Sequence, residues 1–297
     1  MRFDHYRVKP HSNVQYTGST ATSSDFALSP RLMLAYQMLP SVNVYAQYAR
    51  GFQSPFSSDL YFNYIGHHSR FASFKITSNP NLKSETSDSF ELGVRGQLTH
   101  PGLFADENFI DYSASVFTGK YKNFIGNHEE NIVRPDGVYM QGTLANYHRV
   151  NPYGFEGRLG WQINQALHLR TALTWTKGKQ QTTTSSQTIP LEDISPLTAI
   201  AGLKYAPNNR WHVRSDIIYQ AAKNENNVPK PDNPNWQKYL PPSSTVINVS
   251  TGYRFNRFAT LNMGIFNILD RKYWQWSDVR NVCASDSYAI EASSAAG

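Results

Sequence analysis

The chain of 297 residues has one cysteine, Cys283, and so can hold neither an internal disulfide framework nor a multi-cysteine zinc site. It has no run of eighteen apolar residues, which excludes a membrane-spanning helix. The net charge is +6, yet Lys and Arg come singly, with no basic run or stripe, and that distribution argues against a nucleic-acid partner. No glycine-rich phosphate loop and no metal-spaced cluster is present; Gly93 and Gly96 read as strand packing positions. For a hydrolytic enzyme, Ser215 beside His212 is poor support, because strand residues three apart point to opposite faces, so no catalytic residue is expected. Nor does the chain open on a signal peptide: Met1 leads straight into the strand-like Phe3 to Val8. The reading is a piece of a longer protein or one whose export information is lost.

What the chain has in excess is aromatic residues, 13% of the total, with eighteen Tyr, sixteen Phe and six Trp. Side chains apolar at one end and wet at the other suit secreted β-proteins and membrane barrels with aromatic girdles. A period of two recurs along the chain. Strands are expected at 1–9, 26–37, 41–50, 85–98, 108–125, 144–163, 167–178, 196–206, 211–222, 244–255 and 258–270, about eleven in all. The connections alternate in length: 38–40, 99–107, 164–166, 207–210 and 256–257 are mostly short, whereas 10–25, 51–84, 126–143, 179–195 and 223–243 are long and polar. Faces can be assigned. Phe155, Leu159 and Trp161 oppose Glu156, Arg158 and Gln162, and Trp211, Val213, Ile217 and Tyr219 oppose His212, Arg214, Asp216 and Gln220.

A soluble sandwich alternates too, but segments of ten to twenty residues exceed the usual five or six and reach the nine to eleven that cross a bilayer at a tilt. The expected fold is all-β: a transmembrane antiparallel β-barrel, here partial, with long extracellular loops and short periplasmic turns.

The largest connection runs from Phe52 to Leu82, between the blocks Phe52-Gln53-Ser54-Pro55 and Asn79-Pro80-Asn81-Leu82. Loops of such length are functional or disordered, and the aromatics Phe56, Tyr61, Phe62, Tyr64, Phe71 and Phe74 argue against disorder. Near its middle stand His67 and His68. A neutral imidazole can ligate haem iron and aromatics can stack on a porphyrin; the residues alone favour the plainer reading of two solvated loop histidines. Arg70 and Lys75 are candidates to pair with propionates. His128 and His148 flank the following long loop as weaker candidates, and His168 and His212 read as polar wall residues.

Three stretches carry a family resemblance: YARGFQSPFSSDLY at 48–61, NPNLKSETSDSFELGVRG at 79–96 and GIFNILDRKYWQWSDVR at 264–280. In this order and spacing the chain resembles the C-terminal half of TonB-dependent outer-membrane receptors, within the haemoglobin, transferrin and lactoferrin receptor group. It is most similar to the haem or haemoglobin receptors. Gln53 and Ser54 depart from the usual Arg-Ala of the first block. The resemblance implies about eleven strands of an expected twenty-two around an N-terminal plug absent from this chain. It also implies haem as a transported ligand rather than an intrinsic cofactor, outer-membrane lipid around the barrel, and import driven by the TonB-ExbB-ExbD complex.

On this resemblance 51–84 is the loop that holds a haem-ligating His, with His67 or His68 as ligand and Tyr61, Tyr64 and Phe71 close by. A siderophore or transferrin-type receptor is the alternative ligand class, and an outer-membrane enzyme or adhesin the alternative of another kind. Residues 1–282 are expected to be barrel. Residues 283–297 neither alternate nor end on an aromatic, and are expected to be an atypical tail left by a frameshift or truncation. Two open sheet edges lead to the expectation that this chain alone is not a competent transporter.

Overall fold

The computed structural model describes residues 1–9, 22–61, 63–69, 72–99, 108–134, 137–230 and 237–295. Within 64–76, at 127 and within 129–141 it describes the backbone alone. The strands are β1 (Arg2–Val8), β2 (Ser23–Ser29), β3 (Arg31–Leu39), β4 (Val42–Gln53), β5 (Tyr64–Ser69), β6 (Ala72–Thr77), β7 (Glu85–Thr99), β8 (Phe109–Lys122) and β9 (Phe124–Arg134). They continue as β10 (Gly137–Tyr147), β11 (Arg149–Gln162), β12 (Leu167–Gln181), β13 (Ile189–Pro190), β14 (Thr198–Tyr205), β15 (Trp211–Gln220), β16 (Ser244–Arg254) and β17 (Thr260–Ile265). Three short helices accompany them: α1 (Ser57–Tyr61), α2 (Trp276–Val279) and α3 (Ser287–Ala292).

One antiparallel sheet of eleven strands holds most of the chain, in the order β17-β16-β15-β14-β12-β11-β8-β7-β4-β3 with the two-residue β13 beside β12. It is part of a transmembrane β-barrel, open between β3 and β17. Three of its short turns share one device. Asn164 accepts hydrogen bonds from the amides of Ala166 and Leu167 (2.9 and 3.0 Å), Asn208 from Arg210 and Trp211 (2.9 and 3.0 Å), and Asn256 from Phe258 and Ala259 (2.8 and 3.0 Å). An Asn side chain that mimics a backbone turn lets consecutive strands reverse within a few residues.

Register turns the alternation of each strand into two continuous surfaces. On one, Leu34–Ala46–Leu92–Val116–Phe155–Trp175 run across β3, β4, β7, β8, β11 and β12 as neighbours. The same face continues as Leu173–Ala199–Tyr219 and as Ile217–Ile247. The other face carries Gln47–Glu91, Arg95, Glu156, Arg158, Arg170 and the paired Arg214 and Asp216. There Tyr45 donates to Glu91 (2.6 Å), Arg31 to Gln47 (2.7 Å), and the Arg95 guanidinium lies over the Tyr45 ring.

The apolar face is uncovered by protein: Leu92 is 54% exposed, and Leu34, Val116, Ile217 and Tyr219 are exposed with it. The accessible surface of 19850 Å² far exceeds the roughly 13,000 Å² of a compact soluble protein of this mass. Among the described residues the buried apolar clusters are two and small, both in the long connections, and beyond them Val150 and Val246 are buried near the starts of β11 and β16. The exposed apolar rows are the surface that lipid covers.

Several expected boundaries are corrected. The segment 26–37 is broken at Pro30, which has no amide to donate. The segments 108–125 and 144–163 end at Asn123, in the left-handed region at φ 55°, and at His148. Beyond these corners the chains run on as β9 and β10, so the loop 126–143 is largely strand. The last expected strand, 258–270, shortens to Thr260–Ile265. There the amide of Asn267 (φ 51°) donates to Asn248, and the Asn267 side chain binds the carbonyl and amide of Arg271 (2.8 and 3.0 Å), curling the backbone out of the ladder.

A charge placed in the lipid-facing rows should cost far more than one removed from the opposite wall. Leu92→Arg is expected to lower folding stability by about 2–4 kcal/mol, and Glu156→Gln by no more than about 0.5 kcal/mol. Urea unfolding in phosphatidylcholine vesicles compares the two; equal effects would mean that the faces are assigned wrongly.

Candidate ligand-binding site

The two blocks that bound the long connection meet in space. Phe52 and Gln53 pair with Thr86 and Glu85, so both ends of the loop leave the sheet side by side. Asp59 accepts a bond from the Phe56 amide (3.0 Å), and the amides of Asp59 and Leu60 return to the Phe56 carbonyl (3.0 and 3.2 Å), which winds the turn of α1 after the buried Pro55. That turn drives Leu60 and Tyr61 inward against Leu82, with Val8, Ile125 and Leu144 packed around them. Tyr61 is thereby a packing residue of the loop base.

Asn79 locks the second block. Its amide group donates to the Leu144 carbonyl (2.8 Å), its oxygen accepts from the Asn81 amide (3.1 Å), and its backbone N–H reaches the Asp59 carbonyl (3.4 Å).

Asn146 makes the corresponding clamp from the neighbouring loop. It accepts from the Lys83 amide (2.7 Å) and donates to the carbonyls of Lys83 (2.9 Å) and Asn123 (2.7 Å). The Thr143 hydroxyl donates to the Thr77 carbonyl (3.0 Å), and the Thr77 hydroxyl donates to that of Gly142 (3.3 Å). The backbones then join directly. β6 runs parallel to β10 from Phe74–Met140 to Thr77–Thr143, giving a four-stranded sheet in the order β5-β6-β10-β9 that two long connections build together.

His67 and His68 lie on β5, the outer strand of this sheet. Pairing passes from His67–Ser73 to Ser69–Ala72, so the register shifts at His68. Lys75 is on β6 and Tyr64 opens β5. Arg70 and Phe71 lie outside the described residues, as do the side chains of Tyr64, His67, His68 and Lys75. His128 stands on β9 opposite Thr143, and His148 is exposed at the corner before β11. His168 and His212 are on the polar face, opposite Gln162 and Gly252.

A second loop cluster closes over the start of β16. Trp276 is 1% exposed, packs with Val228 and Val279, and donates its indole N–H to the Glu192 carbonyl (2.7 Å). Lys223 is buried beneath it, with Nζ 4.3 Å from the indole centroid and donating to the Ile194 carbonyl (2.6 Å). Burial pushes the Lys223 ammonium down to about 8, against the pull of Asp193. Lys238 pairs with Glu192 and Arg280 with Asp193, tying 192–193 to the connection 223–243 and to the segment that follows β17. Between this cluster and β12 lies a cavity of about 450 Å³ bordered by Trp175, Lys177, Ile194 and Lys223. Trp274, donating to the Ile290 carbonyl, and Trp276 are thus loop-base residues. Asn146 and Lys223 escape sequence reasoning, because nothing local separates a clamp residue from any other polar residue near a strand end.

Residues 1–268 match the family model described as TonB dependent receptor-like, beta-barrel. The hemoglobin-haptoglobin utilization protein B of Neisseria meningitidis serogroup C is 25% identical over 302 residues, covering 93% of this chain and 35% of that protein. The hemoglobin-haptoglobin-binding protein A of Haemophilus influenzae is 25% identical over 256 residues, covering 80% of this chain and 23% of that protein. The chain thus spans about a third or less of the length of these curated relatives. Among solved structures, the copper transporter OprC superposes with a TM-score of 0.65 at 19% identity, over 86% of this chain and 36% of its own. The ferric enterobactin receptor of Pseudomonas aeruginosa superposes at 0.63 and 16%, over 92% and 39%. These structures share the fold, and at such identity they speak to the fold alone.

Asn146→Ala strips three hydrogen bonds from the clamp and is expected to cost about 1–3 kcal/mol locally. Amide exchange should accelerate in 72–77 and 140–143 while β11 and β12 stay protected; unchanged exchange there would remove Asn146 from the docking of the hairpin. For Lys223 the folded-state value lies below the ordinary 10.5, so the unfolded loop binds more protons between about pH 8 and 10.5. Stability of this cluster should therefore rise with pH through that window. Trp fluorescence during urea unfolding, at about pH 7.5 and about pH 10, should show the rise in the wild type and its absence in Lys223→Met.

Proposed function

The chain belongs to the TonB dependent receptor-like, beta-barrel family, and on that premise we propose that it is the loop-bearing part of an outer-membrane receptor for haem or haemoglobin-derived iron. The reading is supported by one feature above the rest: β5, with His67 and His68, is held by β6 against β10, so the histidine pair sits on a sheet built by two long loops. A hairpin paired at its backbone presents a ligating residue at lower entropic cost than a free loop. The relatives named for hemoglobin and haptoglobin support haem iron as the cargo class.

In this reading the long loops are extracellular and His67 or His68 supplies one imidazole nitrogen to haem iron. Arg70 and Lys75 are the proposed partners of the propionates. The cationic polar wall around Arg95, Arg158 and Arg170 faces the interior through which cargo passes, and import energised by the TonB-ExbB-ExbD complex completes the proposal. Residues 283–297 stand in this reading as a tail outside the barrel: their described part, 283–295, holds α3 and takes part in two isolated bridges, Lys238–Cys283 and Tyr273–Ala295.

Haemin titrated into the purified chain should give a saturable shift of the Soret band. One of the single variants His67→Ala and His68→Ala should lose it, and the double variant certainly so. A double variant that binds haemin as the wild type does would leave the hairpin without a ligating role.

A further inference from the structure

Although no basic run exists in the sequence, strand register assembles one, and this corrects the expectation that the chain has no basic stripe. On the lipid-facing surface, at its long-loop end, Arg50 pairs across the strands with Asp88, and Asp88 with Lys120. Thr86 pairs with Lys122, Asn151 with Lys179 and Tyr153 with Lys177. Arg149 lies one row farther out, opposite Gln181. Six cations, Arg50, Lys120, Lys122, Arg149, Lys177 and Lys179, thus stand on four of five adjacent strands within three successive rows, β7 contributing none.

Asp88 is the single carboxylate in those rows, and it already accepts the Tyr48 hydroxyl (2.7 Å). Five of the six cations are exposed, Lys177 being half-buried over the Trp175 ring at 5.7 Å. None of the six is in an ion pair among the described residues.

The innermost of the three rows is aromatic as well. That aromatic character starts in the row of Lys177 itself, where Tyr48 packs on Phe90 with centroids 5.0 Å apart, and Tyr153, opposite Lys177, meets Trp175 of the next row edge-on at 6.0 Å. Below that come Leu92, Val116 and Phe155, the apolar rows already described. At the short-turn end the same face closes on Leu98–Ile110–Trp161–Leu169–Leu203, a row without charge. The charge is therefore one-sided along the barrel axis, and it begins where an aromatic belt marks the edge of the hydrocarbon.

We propose that this surface, from Arg50 on β4 to Lys179 on β12, binds the phosphate groups of an anionic lipid of the long-loop leaflet, with the acyl chains lying along the apolar rows beneath. Lys and Arg stems cover apolar surface while their heads reach phosphate level, the arrangement that seats a phosphorylated lipid and leaves a neutral one indifferent. The proposal rests on the membrane-barrel fold and is independent of haem binding.

The test uses the whole chain in zwitterionic detergent and two probes, diphosphoryl lipid A and phosphatidylcholine, with bound lipid counted by native mass spectrometry. Lys120→Gln/Lys179→Gln should bind diphosphoryl lipid A about ten- to thirtyfold more weakly, since each cation near a headgroup contributes on the order of a tenfold factor or less. Phosphatidylcholine binding should not change, nor should lipid A binding by the opposite-wall variant Arg158→Gln/Arg170→Gln. The proposal is overturned by lipid A binding that survives in the outward variant, by an equal loss in the opposite-wall variant, or by inorganic phosphate competing as well as the lipid does. Should the outward variant fold poorly, wild-type binding of lipid A stripped of its phosphates decides alone: undiminished binding overturns the proposal.

Discussion

In hydrocarbon a peptide group can find its hydrogen-bond partner only within the protein, and that requirement governs this chain from end to end. It explains why each neighbour in the main sheet is antiparallel and adjacent or nearly adjacent in sequence, and why turns at one end are pinned by Asn164, Asn208 and Asn256. It explains too where irregular backbone is tolerated. Pro30, Asn123 and His148 stand near the long loops, at corners where a strand leaves the main sheet. The same requirement makes the edges β3 and β17 costly, since each presents one unpaired ladder that a closed barrel would satisfy.

A second consequence is that packing is inverted. Apolar side chains that would form the interior of a soluble protein stand in exposed rows, and the polar network of Glu91, Arg95, Arg214 and Asp216 takes the opposite wall. Little apolar burial is left to hold the long loops, so they are held by polar clamps. Asn79 and Asn146 each satisfy several backbone groups at once, and small apolar clusters around Leu60 and Trp276 pack within the long connections. Lys223 shows how far this goes: a buried cation lies beneath an indole with its ammonium bound to the Ile194 carbonyl. The loops thereby become extensions of the sheet, and a ligand site placed on them inherits its rigidity.

The blocks 52–55 and 79–82 stand out in the sequence, and the structure shows why such residues are needed there. Pro55 and Asp59 start the turn that buries Leu60, and Asn79 and Leu82 fasten the return. Their role is to fix the base of the loop. The histidine pair is equally visible, whereas its setting is not: a hairpin paired in parallel with a strand more than sixty residues away leaves no local trace. The same holds for Asn146, whose partners Lys83 and Asn123 lie 63 and 23 residues away, just outside the ends of other strands.

Alternation, segment length, aromatic excess and turn residues are local properties, and from them follow the strand count, the membrane barrel and the assignment of each side chain to lipid or interior. A slip of one residue would turn every side chain over, so the face of each strand is written in its own sequence. Which residues then become neighbours across strands is a property of register and of loop docking, and both depend on partners far apart in the chain. For that reason single lysines on β8 and β12 looked scattered in sequence and form one cationic surface in the fold, and two polar loops that looked independent share one sheet.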